Sequence, residues 1–143
     1  MIKNLKKVVG ICLIAILVIG CSSDNSSVNE EEEMNLENIF EGDVILINQA
    51  EVDAFVSNNY TKIDGSLQIG ENIFNDPNNI NDILGFSSLT GITGDFKFLN
   101  NSVTNLNGFN NLQNIGGSVE VAYNNELIEI NSLSNLTSIG GDF

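Results

Sequence analysis

The chain has 143 residues, enough for one domain at most, and carries 19 acidic against 5 basic residues for a formal net charge of −14. It contains no Trp, His or Arg, so its surface repels phosphate backbones, whose binding rests on Lys and Arg, and nucleic acid is excluded as a partner. The same charge excludes direct docking on an anionic membrane face, so any membrane contact needs a covalent anchor. Both cysteines, Cys12 and Cys21, lie near the N-terminus, and the region beyond them can have neither a disulfide framework nor a thiolate metal site.

Three of the five lysines, Lys3, Lys6 and Lys7, open the chain, and an apolar run from Val8 to Ile19 follows. That run is shorter than the roughly 20 residues a membrane-spanning helix needs. A basic start, a short apolar core and a small residue before the cut describe a secretory signal peptide over residues 1–20. The tetrapeptide Val18-Ile19-Gly20-Cys21 resembles the lipobox of bacterial lipoproteins. The resemblance implies cleavage before Cys21, a diacylglycerol on its thiol and acylation of the new amino group. Several acyl chains make an attachment stable where one is marginal. Cys21 is therefore the expected lipid-attachment residue, and the membrane is the partner it reaches. Ser22 stands where an Asp would resemble an inner-membrane retention signal, so an outer-membrane lipoprotein, with either face open, is expected. Residues 21–41 are rich in Ser, Asn and Glu, including the run Glu30–Glu33, with too few apolar residues to offset the entropy of ordering. They read as a disordered acidic tether.

Residues 42–60 read as the start of the folded part. Gly42-Asp-Val44-Ile-Leu46 lies 23 residues before Gly65-Ser-Leu67-Gln-Ile69. Between them Asn48 and Glu51 are placed as a capping box, and the spacing predicts a short helix whose Val52, Phe55 and Val56 cover the N-terminal end of the core.

The rest of the chain repeats. Thr61–Ile69, Thr90–Phe98, Gln113–Val121 and Thr137–Phe143 superimpose without gaps, aligning Gly65, Gly94, Gly117 and Gly141. Between these segments apolar residues recur at every third position: Ile80, Ile83, Phe86, Leu89; Val103, Leu106, Phe109, Leu112; Leu127, Ile130, Leu133, Leu136. Extra residues of the first turn fall around Glu71–Pro77. Strand alternation sends Leu67/Ile69, Phe96/Phe98 and Val119/Val121 inward. It leaves Gln68, Lys97 and Glu120, with Ile45, as an outward row and a candidate binding face. The simpler account of that row is pairing between adjacent strands, Lys97 beside Glu120. A period of three fits neither a strand nor an amphipathic α-helix, and suits a coil that brings one side chain inward at each corner. Each repeat is then one rung: a strand, a bend, an apolar-lined return and a glycine where backbones approach closely. A single rung cannot bury its apolar side, so rungs must stack. The pairs Asn78-Asn79, Asn100-Asn101 and Asn124-Asn125 read as stacked turn asparagines, because Asn accepts left-handed backbone and bonds its own chain.

The Ile-x-Gly-x-Leu-x-Ile strand, the Asn-Asn-x-Leu turn and the Leu-x-x-Leu-x-x-Ile-Gly-Gly return resemble the receptor L-domain family, leucine-rich-repeat-like modules also found in bacterial surface lipoproteins. The opening Gly-Asp-Val-x-Leu-x-x-Gln-Ala-Glu-Val-Asp-x-Phe is similar to the start of its bacterial members. The resemblance covers residues 42–143 and implies a mainly β fold, a right-handed parallel β-helix or solenoid with a short N-terminal capping helix. It implies a protein or glycan ligand, with no catalytic residue, metal or cofactor to carry over. Phe143 aligns with Phe96 and Val119 in mid-strand, so the chain reads as the N-terminal part of a longer solenoid. The expected function is a non-enzymatic envelope lipoprotein, surface-exposed, binding or adhesive. A structural envelope lipoprotein is the alternative. A fragment of a β-helical polysaccharide-acting enzyme is the weaker one, because only Lys62 and Lys97 follow the anchor as basic groups.

Overall fold

The computed structural model describes residues 37–72 and 80–143. The expected signal peptide, Cys21, most of the tether and the Asn78-Asn79 pair lie outside the described residues.

The described chain is mainly strand and forms two parallel sheets. One contains β1 (Ile39–Glu41), β3 (Lys62–Asp64), β5 (Gly91–Ile92), β7 (Asn114–Ile115) and β9 (Ser138–Ile139), in that order. The other contains β2 (Val44–Leu46), β4 (Leu67–Ile69), β6 (Phe96–Leu99) and β8 (Val119–Ala122). Each turn of the chain thus adds one strand to each sheet. The sequence repeat predicts only one strand per turn, so the odd-numbered sheet is an addition. Its strands are too short to show alternation. What defines them is one inward column, Phe40, Ile63, Ile92, Ile115 and Ile139, paired in register from strand to strand.

Strand β1 corrects the expected boundary of the tether at residue 41. Ile39–Glu41 pairs with β3, and the Phe40 ring packs 5.4 Å from both Phe55 and Tyr60. Phe40, half-buried against these rings and the core, supplies the packing that orders this segment behind the acidic run, while Ile39 and Glu41 stay exposed.

The third side of each later turn is a 3-10 segment: Leu84–Ser88, Asn107–Phe109 and Asn131–Leu133. This accounts for the period of three, since a 3-10 helix has 3.0 residues per turn and its i and i+3 side chains eclipse. The amide of Phe86 donates to Ile83 at 3.1 Å and that of Leu89 to Phe86 at 2.8 Å. Phe109 and Leu112 repeat this on Leu106 and Phe109, and Leu133 and Leu136 on Ile130 and Leu133. In the first turn the place is taken by α1 (Gln49–Val56), capped as predicted: Asn48 Oδ1 accepts from the Glu51 amide at 3.0 Å, and Glu51 accepts from the Ile47 amide at 2.8 Å. Val52 of this small helix is buried, with Phe55 and Val56 packed against the core. Gln49 ties the helix to the next turn, donating to Asp82 O at 2.8 Å and accepting from the amides of Asn81 and Asp82.

The core fills the space between the three sides. Leu67 and Ile69, Phe96 and Phe98, Ile80 and Leu106 are all fully buried. Phe109 lies at its centre, 4.9 Å from the Phe96 ring and 5.1 Å from that of Phe86. Each such side chain stabilises the fold by about 1.5–3 kcal/mol on burial. One expected inward residue departs from the pattern: Ile130 is 43% exposed, because it sits in the last described turn with no described rung stacked over it.

Corner residues between the sheets lock the register. A Cβ at Gly94 would stand 2.8 Å from the carbonyl carbon of Gly65 and the amide nitrogen of Ser66, so the glycine is dictated by close backbone approach. Beside it runs an alternating ladder. Asp43 Oδ1 accepts from the Ser66 amide at 2.8 Å, Ser66 Oγ from the Asp95 amide at 3.1 Å, Asp95 Oδ1 from the Ser118 amide at 2.8 Å, and Ser118 Oγ from the Asp142 amide at 3.1 Å.

Candidate functional site

Of the residues in the predicted outward row, Ile45 and Glu120 are exposed and Gln68 and Lys97 are half-buried. Ile45, Gln68, Lys97 and Glu120 are register partners across β2, β4, β6 and β8, on the side opposite the buried Leu67, Phe96 and Val119. Their polar groups are largely engaged within the protein. Lys97 Nζ lies 3.9 Å from Glu120 Oε2, and Gln68 Nε2 donates to Gly70 O at 3.0 Å. Ile45 remains open to solvent at 63% exposure. The row is therefore a self-satisfied sheet face with one apolar end.

The asparagine turns are structural in detail. Asn100 has φ of 54°, the left-handed region anticipated for it. Asn101 and Asn124 stack 23 residues apart, the Asn101 amide donating to Asn124 Oδ1 at 2.8 Å. Each then bonds back to the strand end of the preceding turn: Asn101 Nδ2 to Ile69 O at 3.1 Å, and Asn124 Nδ2 to Phe98 O at 2.8 Å. Asn101 Oδ1 is buried and finds no partner among the described residues.

A different surface emerges on the odd-numbered sheet. There the outward column runs Lys62, Gly91, Asn114 and Ser138, flanked by Thr93 and Gly116 two residues on. A groove of about 460 Å³ lies over it, with Thr90, Gln113 and Glu37 on its walls. This size falls in the usual range of ligand sites. Gly91 puts no side chain into its lining, whereas a Cβ at Gly116 would meet the Thr93 backbone of the preceding turn. Some wall groups are already used: Thr93 donates to Asp64 at 2.9 Å, Thr90 to Thr61 O at 2.9 Å, and Ser138 to Asn114 Oδ1 at 2.8 Å. The Lys62 ammonium, the Glu37 carboxylate, the Gln113 amide and Asn114 Nδ2 have no partner among the described residues. Such groups suit a ligand held by hydrogen bonds and one ion pair. The repeat already aligned Lys62, Gly91, Asn114 and Ser138, but nothing in a run of polar and small residues separated them from ordinary turns.

A family model described as "Receptor L domain" matches residues 59–142. No curated protein and no solved structure matches the chain. Two parallel sheets built one strand per turn agree with that match, and the family is one of binding domains. As the matched segment exceeds half of the chain, the protein belongs to the receptor L domain family.

Proposed function

We propose that the chain is a cell-envelope lipoprotein, tethered through a lipid on Cys21, whose receptor L domain is a surface-exposed binding module for protein or glycan. The observation that carries this is the family match over residues 59–142, joined to a lipobox-like Val18-Ile19-Gly20-Cys21 upstream. In this reading residues 1–20 are a cleaved signal, the acidic stretch is a spacer and the destination is the outer membrane. The domain is a right-handed solenoid closed at its first turn by α1. The hand follows from the strong preference of parallel crossovers for right-handed connections. The binding face acts without chemistry on its ligand.

Protease shaving of intact cells, with mass spectrometry for peptides from residues 42–143, tests the placement. Release from whole cells supports adhesion or ligand capture outside. Protection until the outer membrane is broken moves the domain to the periplasm and favours a structural envelope role. The self-paired Lys97–Glu120 face is the observation on that second side.

A further inference from the structure

We propose that the groove over Gly91 is a saccharide subsite, and that it selects a sugar bearing a single carboxylate. This rests on the binding-module reading above and adds a place and a ligand class to it.

The first argument is the glycine. Gly in a strand interior weakens the strand and often marks a point where a ligand or another backbone comes close. For Gly94, Gly108, Gly116, Gly117, Gly140 and Gly141 the close neighbour is the preceding turn, because an added Cβ would run into it. Gly91 has no such reason. Its φ is ordinary, and a Cβ there would meet only Lys62 Cγ at 3.7 Å and Asn114 O at 3.9 Å, both normal contacts. Packing would accept a side chain at 91, yet the position carries none and lies buried in the groove lining beside the Lys62 stem.

The second argument is the chemistry of the walls. Gln113 and Asn114 offer free amide donors, and Glu37 offers a free acceptor, a set that matches ring hydroxyls. The apolar lining residues, Ile92 and Ile115, are 2% and 1% exposed and point into the core, so no pocket exists for an apolar peptide side chain. Lys62 supplies the one cation of the groove and pairs with no described acid. It calls for one carboxylate on the ligand. A polyuronate is disfavoured, since further carboxylates would meet a chain of net charge −14 with no second cation in the groove.

The test is titration calorimetry of the full chain with sialyllactose and cellobiouronic acid, against lactose, cellobiose and tetragalacturonate. The acidic oligosaccharides should bind, and their neutral counterparts should bind roughly tenfold more weakly, the worth of one charge-assisted hydrogen bond. Lys62→Gln should erase that preference. Gly91→Val should abolish binding, and Gly91→Ala should weaken it while keeping or raising the melting temperature, so that loss cannot be laid to misfolding. Sugar binding that ignores all three substitutions overturns the groove and leaves the binding module standing. Preference for tetragalacturonate or the neutral sugars overturns the single-carboxylate class. Binding of a free-carboxylate peptide in place of sugars, lost in Gly91→Val, overturns the saccharide. Should no glycan, peptide or cell-surface protein bind the chain, the binding-module reading itself falls.

Discussion

Replacing Asn124 with Ala removes the side chain that ties two successive turns of backbone together. Its Oδ1 accepts from the Asn101 amide at 2.8 Å, and its Nδ2 donates to Phe98 O at 2.8 Å and Ala122 O at 3.0 Å. Ala122 O keeps the Asn100 amide as a second partner at 3.0 Å, so its loss is mild. The Asn101 amide is different, because Asn101 is only 3% exposed and water cannot readily replace the lost acceptor. An orphaned buried group costs about 1–3 kcal/mol, and the Phe98 carbonyl adds part of another bond, for a total of about 2–3 kcal/mol. In a domain of about 100 residues that lowers the melting temperature by roughly 10–20 °C. Asn124→Asp should do no better, since it keeps the acceptor but turns a carboxylate toward two carbonyls. The assay is thermal denaturation followed by circular dichroism, with exposed Asn125→Ala as the control, expected within about 0.5 kcal/mol of the parent. If Asn124→Ala and Asn125→Ala melt together within a degree or two, the asparagine stack holds nothing and the structural account of these turns is wrong.

Other expectations follow from packing and charge. Phe109→Ala empties the centre of the aromatic cluster and should cost about 3–5 kcal/mol in urea unfolding; a loss under about 1 kcal/mol would mean the core is not packed as described. Gly94→Ala must displace backbone of the preceding turn and should destabilise by about 2 kcal/mol or more, within the range of core overpacking. Gly91→Ala on the same turn should be neutral or stabilising by up to about 1 kcal/mol, and equal effects would remove the distinction between the two glycines. A double-mutant cycle on Lys97 and Glu120, 42% and 51% exposed, should give a coupling of less than about 1 kcal/mol that fades with salt; a larger, salt-insensitive value would show a role beyond surface pairing. Cys21→Ala should shift the chain from the membrane to the soluble fraction on cell fractionation, and unchanged membrane retention would refute the lipid anchor.

What could be read from residues alone depended on whether one turn was enough to show the cause. The period of three in Ile83, Phe86 and Leu89 repeats in each turn after the first because the carbonyls bond three residues on, a local rule that leaves a local trace. The capping box of Asn48 and Glu51 was legible for the same reason. So was the inward pair of Leu67 and Ile69, whose strand is long enough to alternate. The odd-numbered sheet was not, because Gly91–Ile92 and Asn114–Ile115 are two residues long and carry no alternation. Their strand character lies in pairing with residues more than 20 positions away. Strand β1 was hidden by composition: three residues behind an acidic run cannot outweigh it in any window, yet Phe40 finds Phe55 and Tyr60 in space.

The two candidate faces show the same limit from the functional side. Gln68, Lys97 and Glu120 were visible as a row because alternation marks outward positions, but outwardness says nothing about whether a polar group is already occupied. Across stacked parallel strands equivalent residues sit about 4.8 Å apart, so opposite charges one repeat apart find each other, and the most legible row is the one most ready to satisfy itself. Lys62 escapes this because its partner in the next strand is Gly91, which has nothing to offer it. An unpaired charge beside a glycine that packing does not require is a weaker pattern in sequence than a row of charges. It is the better mark of a place kept open for something else. Restoring a partner in cis therefore makes a further check: Gly91→Asp should seat a carboxylate beside Lys62, leave the fold intact and close the groove to an acidic sugar. Undiminished binding in that variant would mean that neither Lys62 nor the lining at Gly91 takes part.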